Sequence, residues 1–105
     1  MTNTKGEVTL PPIKTFTIED SVKDQARKVL EEAAELFSAA NEYEKFKGIG
    51  QNVKEVYLND IISEALDTIQ AVCNLLEMLN VWDDDIVKAY ELVFEKNKER
   101  GRYDV

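Results

Sequence analysis

Histidine is absent from this 105-residue chain. Its absence removes Ser-His and Cys-His nucleophile pairs, histidine general bases and every zinc site built on imidazole. It also counts against a di-iron carboxylate bundle, which uses Glu-x-x-His pairs. Cysteine occurs once, as Cys73, so no intrachain disulfide forms and a reducing compartment is expected. No apolar run approaches the ~20 residues that span a bilayer. The opening Met-Thr-Asn-Thr-Lys-Gly-Glu has no apolar stretch of a signal peptide. A cytoplasmic protein without a membrane partner is the expectation. Basic residues are scarce as well, 13 against 21 acidic, for a net charge of −8. Nucleic-acid affinity rests on clustered Lys and Arg, so a nucleic-acid partner is not expected. A nucleotide substrate remains compatible, because Mg²⁺ can bridge acidic protein and phosphate.

What is present suits one folded domain. Hydrophobic residues make up 44% and charged residues 32%, the balance of a globular chain rather than a disordered one. Residues 1–16 hold both prolines and no helical period; they read equally as an arm whose Val8, Leu10, Ile13 and Phe16 can pack on a neighbour or as a disordered tail. Residues 17–105 form the helical domain. Thr17 and Asp20 resemble an N-cap and its first turn. Val22, Ala26, Val29, Ala33, Leu36, Ala40 and Tyr43 then repeat with 4-3 spacing to about Phe46, where Gly48-Ile49-Gly50 stops the helix. A second helix from Gln51 to Asn80 carries two seams. One is Ile61, Ala65, Thr68, Val72, Leu75 and Leu79; the other is Ile62, Leu66, Ile69, Cys73 and Leu76. A third opens at Asp83-Asp84-Asp85, has Ile86, Tyr90, Val93 and Asn97 along one stripe, and closes with Lys96, Lys98 and Arg100 before Gly101. Nothing reads as a strand. The fold class is all-α: an antiparallel long-helix hairpin plus a third helix. The surplus apolar seam of the second helix points to a homodimer or homotetramer that completes a four-helix-type bundle.

Two acidic clusters interrupt the long helices, Glu31-Glu32-Ala33-Ala34-Glu35 and Glu64-Ala65-Leu66-Asp67. Residues three apart project from one helix face. In a hairpin turning at Gly48-Gly50, each cluster stands about 15 residues from the turn, roughly 22 Å along its helix at 1.5 Å per residue. Glu32 and Glu64 each lie only ~40° round from a seam residue, Leu36 and Thr68. Acid pairs at this spacing are usually a solvated face. Two pairs matched in spacing, phase and height are better explained as one site, and four converging carboxylates require compensation by cations. Arg27 and Lys28 are the only bases close by in the sequence. A hard divalent cation, Mg²⁺ or Mn²⁺, meets the need.

These residues carry a resemblance. Glu31-Glu32-x-x-Glu35, 28 intervening residues and Glu64-x-x-Asp67 resemble the signature of the MazG-like all-α nucleoside triphosphate pyrophosphohydrolases. The tail from Tyr90 through Lys96-Asn97-Lys98-Glu99-Arg100-Gly101-Arg102-Tyr103 is similar to the closing helix of small members. The likeness spans about residues 17–103, with a separation long for the motif. It implies hydrolysis of an NTP or dNTP to the monophosphate and pyrophosphate, with Mg²⁺ or Mn²⁺, in a dimer or tetramer. It further implies Glu32, Glu35, Glu64 and Asp67 as metal ligands, with Glu31 at the motif's first glutamate.

The chemistry is consistent with that without the likeness. Cleaving a phosphoanhydride is mostly charge neutralisation and in-line placement of water, and a carboxylate can take the proton where histidine is missing. Glu31 and Glu35 are the candidate bases. Lys96 and Arg100, one turn apart, are candidate phosphate contacts, with helix-dipole matching as the plainer account. Asn97 is a candidate base or sugar contact, or a backbone cap. Tyr43, Trp82 and Tyr90 are candidate stacking residues, though aromatics on seams are more often core. Asp60 is a supporting acid or simply solvated. The alternative function is a non-catalytic helical partner-binding or regulatory protein with a solvated acidic face.

Overall fold

A computed structural model describes residues 6–103. The first five residues of the expected arm and the last two of the helical domain lie outside them. Three helices follow in order, α1 (Val22–Phe46), α2 (Gln51–Met78) and α3 (Asp83–Glu99), with no strand among the described residues. No helix is long and apolar enough to cross a membrane among the described residues.

The start of α1 differs from the expectation at Thr17. Ser21 is the N-cap, its hydroxyl accepting from the Asp24 amide at 3.0 Å. The chain before it stays extended because it is tied to α2: the Phe16 amide donates to Asn74 Oδ1 at 3.2 Å, and Lys14 O accepts from Gln70 Nε2 at 3.0 Å. A third bond joins the Thr15 hydroxyl to Glu77 at 3.2 Å. Pro11 and Pro12 suit such an extended arm. At the far end of α2, Asn80 takes φ 56°, a left-handed conformation that Asn tolerates and that turns the chain out of the helix. In α3 the cap runs backwards from within the helix, Asp85 Oδ2 accepting from the Trp82 amide at 2.9 Å. Gly101, at φ 70°, ends it, with the Arg102 amide returning to Asn97 O at 3.0 Å.

Helices α1 and α2 pack along each other. Gln25, in the first turn of α1, reaches the Ala71 carbonyl late in α2, and Phe46, closing α1, stacks on Tyr57 early in α2 with ring centroids 5.2 Å apart. The covered stripe corrects the expected seams. On α1 it runs Gln25, Val29, Glu32, Leu36, Ala39 and Tyr43; Ala26 and Ala33, expected inside, are exposed. On α2 it runs Tyr57, Ile61, Glu64, Thr68, Ala71 and Leu75, with Val72 exposed. At Ala26, Ala33 and Val72 the cover has moved one residue, to Gln25, Glu32 and Ala71, while Ala40 and Ala65 stay half-buried beside Ala39 and Glu64.

No Cα of α3 lies within 8 Å of a Cα of α1 or α2. Its apolar side chains therefore stand in solvent, Leu92 at 73% exposure and Tyr90 at 61%. The second seam of α2 is open in its first part, with Ile62 and Leu66 exposed, and half-buried at Ile69, Cys73 and Leu76. The radius of gyration is 16.5 Å, against about 13 Å for a compact chain of this length. The accessible surface is 8746 Å², against roughly 6,000 Å² for a folded monomer of this mass.

Candidate metal centre

The turn between α1 and α2 brings the two acidic clusters to one level. Carboxylate oxygens of Glu32, Glu35 and Glu64, one from each residue, lie within 4.8 Å of one another. Oxygens sharing one Mg²⁺ at ~2.1 Å stand no more than about 4.2 Å apart. That limit is for opposite oxygens; adjacent ones stand about 3.0 Å apart, so the three would draw together to share one ion. Glu32 and Glu64 hold the covered stripe on their helices, while Glu35 is on the exposed flank.

Glu64 is the strained member. Its Oε1 is shut off from solvent and has no hydrogen-bond partner, the one such side-chain atom among the described residues. Burial pushes its carboxyl above the usual range, and the charges of Glu35, Asp67, Glu32 and Asp60 push the same way. The backbone at this position is also engaged, the Thr68 hydroxyl donating to Glu64 O at 2.9 Å. A carboxylate oxygen accepts only, so an enclosed one without a donor calls for a cation or a proton.

One ammonium partly answers the charge. Lys28 Nζ is 3.1 Å from Glu32 Oε2. Glu32 raises the Lys28 pKa through that bond and its charge, with Glu31 and Glu35 adding to the rise. Arg27 is turned away to Asp24 at 2.6 Å, a contact that, with the Ser21 hydroxyl, holds Asp24 below its ordinary carboxyl value. One half-exposed lysine thus faces a group of at least three acids.

A cavity of about 380 Å³ adjoins the cluster, inside the ~300–1,000 Å³ typical of small-molecule sites. Its charged lining is Asp20, Lys28, Glu32 and Asp67. Phe16 and Ile18, from the extended segment before α1, and the helix residues Gln25, Gln70, Ala71 and Asn74 complete it.

Of the residues singled out from the sequence, Glu32, Glu35 and Glu64 come together. Asp67 stands outside that tight group but lines the same cavity and bears on the charge of Glu64. Glu31 is exposed on the neighbouring face, within electrostatic reach of Lys28. Asp60 likewise acts on Glu64 through its charge. Lys96 and Asn97 belong to α3 and Arg100 caps its end, and α3 does not approach α1 or α2 within the single chain. Trp82 and Tyr90 are exposed, and neither they nor half-buried Tyr43 line the cavity.

Sequence reasoning missed Phe16, Gln25 and Asn74 as cavity residues. A signal existed for two of them. Gln25 stands seven residues before Glu32, two turns along the same face, and Asn74 is a lone amide within the apolar Ala71–Leu76 run. Comparison of the chain with family models, curated proteins and solved structures returned no match.

Proposed function

We propose that this chain is a metal-dependent nucleoside triphosphate pyrophosphohydrolase of the MazG-like kind, cleaving an NTP or dNTP to the monophosphate and pyrophosphate in housekeeping of the nucleotide pool. The observation that carries the reading is the enclosed, partnerless Glu64 oxygen among carboxylates converging within 4.8 Å, a group whose Glu32 also lines a cavity of about 380 Å³. The donor set fits a hard cation: it is all carboxylate, and the chain has no histidine. Glu32, Glu35, Glu64 and Asp67 would hold Mg²⁺ or Mn²⁺. Bound there, the ion supplies neutralisation of the triphosphate and acidification of water. Glu31, exposed beside the group, or Glu35 takes the proton of the attacking water. Lys28, which lines the cavity beside Glu32, would hold a phosphate oxygen.

The functional form in this proposal is an assembly. Helices α1 and α2 act as an antiparallel hairpin, and a second copy completes a four-helix-type bundle. The support is area: roughly 2,700 Å² above a folded monomer's surface, where a standard interface takes about 800 Å² per partner and obligate ones more. Exposed apolar seams on α2 and α3 are the matching chemistry. Lys96, Asn97 and Arg100 can then serve phosphate only from the α3 of a neighbouring copy. The same bare α3 face favours a second reading, a non-catalytic helical partner-binding protein, and activity separates the two.

The test is a panel of NTPs and dNTPs assayed for pyrophosphate release with Mg²⁺ and with Mn²⁺. Wild type releases pyrophosphate from at least one member, and Glu32→Gln and Asp67→Asn each lose most of that release. Silence of the wild type across the panel removes the hydrolase reading. Full activity in both variants removes these acids from the metal centre.

A further inference from the structure

The most deeply buried polar side chains in the described chain are two amides, Gln25 at 3% and Asn74 at 2% exposure, while Phe37 and Trp82 lie in solvent. Amides take such places when their hydrogen-bonding capacity is used. Each is oriented by a backbone bond, which settles which end faces which way. Gln25 Nε2 donates to Ala71 O at 3.0 Å. Asn74 Oδ1 accepts from the Phe16 amide at 3.2 Å and from Gln70 Nε2 at 3.1 Å.

Those bonds occupy one end of each amide. The other ends, Gln25 Oε1 and Asn74 Nδ2, have no protein partner among the described residues. Neither is sealed away, since Glu64 Oε1 is the one enclosed partnerless side-chain atom there. Both residues line the cavity, and Asn74 also lines a second one beside Thr17 and Glu77, so the free ends are the polar atoms they have left to offer a ligand. One helix thus offers an acceptor and the other a donor, in a lining shared with Phe16 and Ile18.

We infer that this part of the cavity lining recognises a nucleobase, with Gln25 Oε1 accepting from a base N–H and Asn74 Nδ2 donating to an adjacent base acceptor. Every nucleobase presents a donor beside an acceptor on one edge, and its ring face meets Phe16. The charged lining then receives the phosphates. Asn74 has a double duty, because the oxygen that orients it for the base also holds the arm that carries Phe16. The inference rests on the nucleotide reading for the identity of the ligand, but recognition of the base requires neither metal nor hydrolysis.

The experiment measures metal-free binding of uridine, cytidine, adenosine and guanosine to the full chain, with ribose 5-phosphate as a control lacking a base. Saturation-transfer NMR gives the affinities, and the side-chain amide signal of Asn74 in ¹⁵N-labelled protein gives the location. At least one nucleoside is expected to bind more tightly than ribose 5-phosphate and to shift the Asn74 signal. Asn74→Asp keeps an oxygen for the Phe16 amide and deletes the NH₂ donor. It is expected to weaken that nucleoside roughly tenfold, the ratio that goes with one lost bond to a buried group. Should that variant fail to fold, the wild-type Asn74 signal decides alone. Absence of a shift at saturating nucleoside overturns the inference, as does failure of all four nucleosides to bind, equal binding of the control, or full affinity in a folded Asn74→Asp. Nucleoside binding without pyrophosphate release leaves this inference standing and removes the hydrolase. Release without nucleoside binding does the reverse.

Discussion

Glu64→Gln separates the cost of the carboxylate cluster from its use. In the metal-free protein the amide removes the charge that burial and Glu35 most disfavour, so the variant melts above wild type. Divalent metal reverses the order. A ligand bound only to the folded state adds RT ln(1 + [L]/Kd), about 2.7 kcal/mol at one hundred times Kd. With ~2.1 cal/mol/K of unfolding entropy per residue, a chain of this length gains roughly 12 °C in Tm from that increment. Glu64→Gln loses a charged ligand and most of the rise, so the two melting temperatures cross as Mg²⁺ or Mn²⁺ is added. Far-ultraviolet circular dichroism is the suitable signal, because the bare apolar face of α3 would take up a hydrophobic dye and Trp82 is already exposed. Chain concentration is held fixed, since an assembling protein melts at a concentration-dependent temperature. Sodium chloride at matched ionic strength measures screening of the acids alone. The reasoning is refuted by a wild-type rise no larger than sodium gives, or by the same metal increment in Glu64→Gln.

Three further outcomes follow from the same structure. Because Glu64 has its folded pKa raised above the ordinary 4.5, the folded state keeps a proton that the unfolded chain has released. Its contribution to metal-free stability falls as pH rises from the ordinary carboxylate range and levels off above the folded value; a pH series of Tm for wild type minus Glu64→Gln should descend accordingly, and a flat difference counts against the burial. Multi-angle light scattering should give two or four times the 12.0 kDa chain mass, reduced by Ile62→Asp with Leu66→Asp; a wild-type single-chain mass at micromolar concentration would rule the assembly out. Ser21→Ala removes the hydroxyl that accepts from the Asp24 amide and should cost about 1 kcal/mol, read as a shift of the chemical-denaturation midpoint. An unchanged midpoint would place the start of α1 elsewhere.

The sequence made three helices and their ends legible because the signals were local. Gly48-Ile49-Gly50, Asn80 and Gly101 each break the helical period, and the breaks stand where α1, α2 and α3 end. The meeting of the acids was legible too, since counting residues from one turn fixes height along both helices, and Glu32, Glu35 and Glu64 do converge. What failed was phase. A seam assigned by apolarity chose Ala26 and Ala33, whereas the chain covers Gln25 and Glu32, and at Ala65 it passed over Glu64, which is half-buried as well. Each neighbouring pair differs by one position, about 100° of helix rotation, and the hydrophobic term alone prefers the alanine inside. Burial of the polar member is costly, so it persists only where something at the site returns that cost. For Gln25 the return is in part visible, a 3.0 Å bond to the Ala71 carbonyl. For Glu64 no partner among the described residues supplies it. The arm was illegible for another reason: Phe16 is held by an amide 58 residues away, and no local pattern encodes a contact of that range. Departure from the apolar seam is therefore informative in itself. The two positions where hydrophobicity misplaced the helix face are a cavity amide and a cluster acid, and the one it passed over is the acid left without a partner.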